Sequence, residues 1–360
     1  MSAFRGRADL LAQKVADQGL DLLLVNHLVN VRYLTGFTGT NGAFVLGPEH
    51  RVFLTDFRYV ERAKREVPDF DRVRGRDDLL EAVAEIATGV GGRLGFDDAH
   101  MTVRAHAKLA EKLGEGVELV PAGGLVEELR AIKDDEETTA IQRAAGLADE
   151  VYRWLIDEHG LTGHTERAVA LALERRAQDL GADGVSFPPI VAAAENGALP
   201  HATPRDDAVI PRDTLVVVDF GCILDSYCSD CTRTFATGDV DPEAQDAYEL
   251  VRTAQEAALA ATVAGADVRE VDRAARGIIE EAGRGEQFGH GLGHGVGLEV
   301  HEAPRLAPSA TGNLQAGNVV TIEPGVYVPD RFGIRIEDLV LVTADAPLVM
   351  TGIPKELTSV

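Results

Sequence analysis

The chain has 360 residues, room for two domains, and its 45% hydrophobic content can fill a sizeable core, which excludes a disordered polymer. Against 35 Lys and Arg stand 59 Asp and Glu, a formal net charge of −24. That is the wrong sign for gripping nucleic acid or an anionic membrane surface. Three cysteines are too few for a disulfide framework, and the first 21 residues lack the apolar region and cleavage site of a signal peptide. No run approaches the ~20 apolar residues of a membrane span, so a cytoplasmic protein is expected.

Apolar positions at helical spacing (Phe4, Ala8, Leu11, Val15), stopped by Gly19, predict a helix over 4–18. Residues 20–26 read as a buried strand. Two short strands at 42–47 and 51–55 are joined by Gly47 and Pro48. Asp56 can cap a helix running to about Glu66. A strand (71–74), a helix (77–88), a strand (93–96), a helix (102–113) and a last strand (117–121) follow. Alternating strands and helices predict an α/β domain over 1–125, with the boundary near 121–135, where Gly123 and Gly124 break the pattern. The second domain, 126–360, opens with helices at 134–159 and 165–180. Strand-like segments (185–192, 214–222, 226–236), two helices (241–264, 268–282), a glycine-rich block (287–301) and two strand-like stretches (317–328, 333–343) complete it. Elements that come in blocks predict an α+β domain with antiparallel pairing.

The chemistry is concentrated in this second domain. In VVVDFGCILDSYCSDCTRTFA (216–236), a turn at Leu224–Asp225 makes paired positions sum to 449. Asp219 then faces Asp230, with Cβ atoms roughly 5 Å apart. Two carboxylates so close among Val and Phe repel each other and resist desolvation, and a divalent cation relieves both problems. The plain alternative is a slipped register or an aspartate that merely makes a turn. In FGHGLGHGVGLEVHEAPR (288–305), glycines at 289, 291, 293, 295 and 297 have the period of a strand, whose other face carries His290, Leu292, His294, Val296 and Leu298. Such a strand is sensible where its backbone lies close to another segment or a ligand. No Lys follows to make a phosphate loop. In TIEPGVYVPDRFGIRIED (321–338), Pro329, Asp330 and Gly333 mark a turn, and Glu323 and Glu337 lie symmetrically about Asp330. Two Asp, one His and two Glu suit two adjacent cations such as manganese, cobalt or zinc. Two such ions activate a water at neutral pH and polarise a carbonyl, which is amide-hydrolysis chemistry. Other chemistries lack their residues. HEAP (301–304) is not HExxH, there is no GxSxG, and Cys228 and Cys231 have no second cysteine pair to complete a zinc site.

In order, VDFG…SDCTRTF, GLGHGVGLEVHE, TIEPGVY and GIRIED resemble the pita-bread metallopeptidase superfamily. NVRYLTGFTGTNGAF (30–44) and FLTDFRYVERA (53–63) resemble the creatinase-like N-terminal α/β domain of its proline-specific branch. The likeness spans essentially the whole chain. It implies a pita-bread catalytic domain with an antiparallel sheet, a homodimer, and two divalent ions, manganese foremost, on Asp219, Asp230, His294, Glu323 and Glu337. Asp230 and Glu337 would bridge the ions, and Glu323 would also shuttle a proton. His201, His290 and His301 would stand near the scissile bond, with Arg335 and Tyr327 supporting them. The implied activity is removal of an N-terminal residue that precedes proline. The compact form resembles small aminopeptidase P-type proteins. A dipeptidase restricted to Xaa-Pro is the alternative, in which Arg305 would pair with the substrate carboxylate. A creatinase-like hydrolase or a non-catalytic binding module is more remote, since all five ligand positions are filled.

Overall fold

The computed structural model describes residues 2–76 and 78–360, and the chain divides into two compact units, Met1–Arg130 and Ala131–Val360. The first opens with α1 (Ala3–Asp17), capped by the Ser2 hydroxyl, with Ala8, Leu11 and Val15 on its buried face. Then come β1 (Leu22–Val25), α2 (Leu28–Thr35), β2 (Gly42–Leu46), β3 (Arg51–Thr55), a short turn of helix capped by Asp56, and α3 (Val60–Glu66). The unit ends with β4 (Asp71–Arg74), α4 (Leu79–Val90), β5 (Gly92–Phe96), α5 (Val103–Lys112), β6 (Val117–Pro121) and α6 (Leu125–Arg130). Its six strands form one mixed sheet in the order β4-β3-β2-β1-β5-β6, as an α/β pattern requires. The predicted start of α4 at residue 77 lies outside the described residues. Helix α2 was not anticipated. It is only two turns long, buries Val31 and Leu34, and stops at Gly36, whose φ of 77° suits a helix C-terminus.

The second unit begins with α7 (Asp135–Trp154), whose first turn is closed by a reciprocal pair of bonds between Asp134 and Glu137. Helix α8 (Glu166–Asp179) follows, then β7 (Gly184–Val185), β8 (Ile190–Ala193), β9 (Leu215–Asp219), β10 (Cys222–Leu224), β11 (Tyr227–Cys228) and β12 (Thr232–Ala236). After α9 (Pro242–Ala261) and α10 (Val268–Glu281) come β13 (Gly293–Gly295), β14 (Glu302–Leu306), β15 (Val319–Ile322), β16 (Gly325–Val328), β17 (Phe332–Arg335), β18 (Asp338–Leu341) and β19 (Leu348–Val349). The ladders of this unit are antiparallel. Apolar cores flank them. Val151, Tyr152, Val169 and Leu173 of α7 and α8 pack on Val216 and Val218 of β9. Val251, Ala254, Val271 and Ala275 of α9 and α10 pack with Val320, Ile322, Val326 and Ile334. No described helix is long and apolar enough to cross a membrane.

Two local expectations need correction. In the first hairpin, paired positions sum to 451, so Asp219 faces Thr232 rather than Asp230. The turn is Asp225–Ser226, with φ of 51° and 74°. Tight hairpins need two residues in the left-handed region, which a turn at Leu224–Asp225 would impose on a leucine. The glycine-rich block is not one strand either. Only Gly293–Gly295 is extended, because the chain reverses within 296–301 to pair β13 with β14. The second hairpin has the anticipated symmetry. From Val319↔Leu341 through Val328↔Phe332 the partners sum to 660, with Glu323 and Glu337 at the gap where Pro324 interrupts the ladder.

Candidate metal centre

Both hairpins and β13 deliver acidic and histidine side chains to one buried place. Asp219 ends β9. Its Oδ2 accepts a bond from Arg335 Nη2 at 2.7 Å, while among the described residues its buried Oδ1 has no hydrogen-bond partner. Glu337, between β17 and β18, accepts from the Thr232 hydroxyl at 2.7 Å. His294 on β13 has Nε2 at 3.2 Å from Glu323 Oε1 and 3.7 Å from Asp230 Oδ2. Its backbone N–H and Glu323 Oε1 both meet the Thr321 hydroxyl, at 3.1 and 3.0 Å. Ligand atoms of Asp230, His294 and Glu337 all lie within 4.8 Å of one another. Asp230 therefore reaches the cluster from the diagonal position that the corrected register leaves it, two residues before Thr232.

The electrostatics of this cluster call for added positive charge. Burial pushes the carboxyl of Asp219 up, against the pull of Arg335. Burial also pushes Asp230 and Glu337 well above the carboxylate range, and neighbouring carboxylates push the same way. Burial acts alike on Glu323, but the hydrogen bond and charge of His294 outweigh it and bring that carboxyl down to about 2. His294 is correspondingly raised, its burial overcome by the bond to Glu323. The four carboxylates thus share the buried guanidinium of Arg335 and the bonded imidazole of His294, with the rings of His290 and His301 in electrostatic reach of Glu323. An orphaned acceptor on Asp219 and an excess of oxygen ligands fit hard or borderline divalent cations.

The remaining predicted residues surround the cluster. Arg335 also donates to the Thr232 hydroxyl at 3.1 Å, the Tyr327 hydroxyl at 2.8 Å and the Pro200 carbonyl at 3.1 Å. The Tyr327 oxygen lies 3.1 Å from His290 Nε2, whose other ring nitrogen is 2.8 Å from the Gly291 carbonyl. Burial holds His290 below the usual histidine range and pushes Tyr327 up. His301 sets its ring edge-on to His294, with centroids 4.3 Å apart. Burial, then the charge of His294, lowers it, and His201 adds to that lowering. His201 itself is exposed on a loop, and Arg305 is exposed as the cross-strand partner of His294.

Sequence reasoning missed the supports. Thr232 and Thr321 each lie two residues from a predicted ligand (Asp230, Glu323), the spacing that shares a strand face, so that signal was present. Buried Arg233 donates to the Glu337 carbonyl and, at 2.7 Å, to Asp338, which Lys355 also meets at 3.0 Å. No local pattern foretells that network. Among the described residues Cys222, Cys228 and Cys231 form no disulfide, and Cys228 and Cys231 enter different cores, as expected of a chance CxxC. A second cluster in the first unit, His27, His100 and Glu127, brings its ligand atoms within 4.8 Å. Its imidazoles are stacked at 3.8 Å and 7°, so their in-plane lone pairs do not converge on one ion.

Comparison with known proteins agrees with this arrangement. Residues 139–344 match metallopeptidase family M24, and residues 7–132 match the creatinase/prolidase N-terminal domain. The Xaa-Pro dipeptidase of Pyrococcus furiosus is 33% identical over 358 residues, covering 98% of this chain and 99% of that one. The structure of a Xaa-Pro dipeptidase from Bacillus anthracis superposes with a TM-score of 0.96 at 36% identity, over 99% of this chain and 100% of the other. An X-Pro aminopeptidase from Thermotoga maritima superposes at 0.87 and 30% identity, over 95% and 98% of the two chains. The chain belongs to metallopeptidase family M24, with a creatinase/prolidase N-terminal domain ahead of a pita-bread catalytic domain.

Proposed function

We propose that the protein is a dinuclear-metal exopeptidase that hydrolyses the bond between an N-terminal residue and proline. The observation that carries this reading is the buried cluster of Asp219, Asp230, His294, Glu323 and Glu337, with its orphaned Asp219 oxygen. These five side chains would hold two divalent cations, manganese foremost, which supply Lewis acidity toward a water and the scissile carbonyl. The protein's own groups do the rest. Arg335 ties down one oxygen of Asp219 and leaves the other for an ion. Thr232 and Thr321 orient Glu337 and Glu323, as supporting hydrogen bonds do in metal sites. Glu323 takes up and returns the proton of the attacking water. His290 and His301 face the developing negative charge, and His201 lines the approach.

A proline substrate suits such a site. Its peptide nitrogen carries no hydrogen and its ring crowds the carbonyl, so recognition through that N–H is impossible. Likeness to the X-Pro aminopeptidase of Thermotoga maritima supports longer Xaa-Pro-Yaa peptides as substrates. Exposed Arg305 beside His294, together with likeness to the Bacillus and Pyrococcus Xaa-Pro dipeptidases, supports the free carboxylate of an Xaa-Pro dipeptide. The test is direct. Protein loaded with manganese, cobalt or zinc is given Xaa-Pro, Xaa-Pro-Yaa-Zaa and a proline-free dipeptide. Cleavage confined to Xaa-Pro, weakened in KM by Arg305→Ala, identifies a dipeptidase. Cleavage of the longer peptide identifies an aminopeptidase. Inactivity toward both overturns the reading.

A further inference from the structure

We propose that Glu166 is a positioning residue that holds the 193–205 loop and thereby sets where His201 stands beside the reaction centre. The proposal rests on the role given to His201 under the proposed function. Glu166 is the first residue of α8, beyond the capping Thr165, and its side chain is 2% exposed. A buried carboxylate must be satisfied by donors, and here they come from one loop. Oε1 accepts the Ala193 N–H at 2.8 Å. Oε2 accepts Asn196 Nδ2 and the Arg205 N–H, both at 2.7 Å. The donors span the start, the interior and the end of the segment.

The loop needs such a clamp. Directly after β8, Ala194 has a φ of 50°, a conformation that alanine adopts only when its surroundings over-determine it. The bonds to Ala193 and Asn196 bracket that residue. Further along, the Gly197 carbonyl lies against Gly333, where a Cβ would come within 1.8 Å of it, and the Pro200 carbonyl accepts from Arg335. The segment is thus held on one side by Glu166 and on the other by the guanidinium that also grips Asp219. His201 follows Pro200 directly and lies within electrostatic reach of His301. Glutamine cannot replace the carboxylate, because its amide nitrogen would face a donor at one of the two oxygen positions.

The test is a double-mutant cycle in the metal-loaded full-length protein, pairing Glu166→Gln with His201→Ala. Glu166→Gln should lower kcat/KM for an Xaa-Pro peptide by ~10–100-fold with metal content unchanged. In the His201→Ala background the same change should cost less than about threefold, because both changes act on one interaction. Hydrogen exchange at the Ala193 and Arg205 amides should speed up in Glu166→Gln whether or not the enzyme turns over. Asn196→Ala, which removes one donor and strands no carboxylate, should show the same non-additivity if Glu166→Gln does not fold. Equal losses in both backgrounds, metal loss in proportion to activity, or unchanged exchange would overturn the proposal. A wild-type protein inactive on every Xaa-Pro peptide would overturn the functional reading instead, and the exchange result would still decide whether Glu166 clamps the loop.

Discussion

Gly293→Ala isolates the demand that the glycine-rich segment places on its neighbours. A Cβ at 293 would sit 1.9 Å from the Thr321 carbonyl oxygen, and real Cβ atoms do not come closer than 3.0 Å to a neighbour. The two backbones must therefore separate by about 1.1 Å at that point. The contact is flanked by the bond from the His294 N–H to Thr321 Oγ1 at 3.1 Å and that from the Glu323 N–H to the Leu292 carbonyl at 2.9 Å. An opening of that size breaks both and draws His294 away from Glu323. Overpacking of this kind costs about 1–3 kcal/mol. For a unit of Ala131–Val360 that lowers the melting midpoint by roughly 2–12 °C. The functional loss should be larger in proportion, since a displacement of ~1 Å at a reacting group costs on the order of 10²-fold. Calorimetry, manganese titration and kcat/KM measured on one preparation check all three. Gly289→Ala is the control, because nothing lies within 4 Å of a Cβ there and its backbone is unstrained. Wild-type metal affinity and turnover in Gly293→Ala, or equal damage from Gly289→Ala, would refute the argument.

Two further predictions concern the ions. With free metal at ~100 times Kd, each bound ion adds about 2.7 kcal/mol, so a chelator should lower the midpoint by roughly 5–11 °C per ion. An unchanged melting curve would contradict a metal centre. Asp230→Asn should abolish turnover yet stabilise the metal-free protein at neutral pH. The sign follows from the upward shift of Asp230, whose folded form binds its proton more tightly than the unfolded chain. Its contribution to stability is present below the ordinary aspartate range and is lost as pH rises through the raised folded value. The metal-free wild type should therefore lose stability relative to the variant as pH climbs from about 4 toward neutrality. Parallel pH curves for the two proteins would refute this.

Much of the fold was legible because local physics decides it. The helices expected from residues 134 and 241 begin at Asp135 and Pro242, where the Asp134–Glu137 pair and the Asp241 cap close their first turns. The second hairpin was legible because Pro329, Asp330 and Gly333 leave few places for the turn, and Asp330 does adopt a φ of 60°. What escaped was set by tertiary contact. Helix α2 is too short to show a period. The role of Glu166 depends on a loop that begins 27 residues further along the chain. Arg233 finds the Ile353 and Pro354 carbonyls 120 and 121 residues away.

The misplaced first turn shows why the ligand set was readable even so. Side chains alternate with a period of two, so moving the paired sum from 449 to 451 shifts the register by an even step and leaves each residue on its own face. Asp230 lost its direct partner but remained on the side where Glu337 and Asp219 raise its pKa. An odd step would have exchanged Asp230 with Cys231, which packs with Tyr152 and Phe220 in the core beneath α7 and α8. An unpaired carboxylate there would meet apolar side chains and no cation, at a cost far above that of any turn. The burial of Cys231 is therefore what secures the place of Asp230. Even-step errors in turn placement are harmless to a site of this construction, and odd-step errors are excluded by its core.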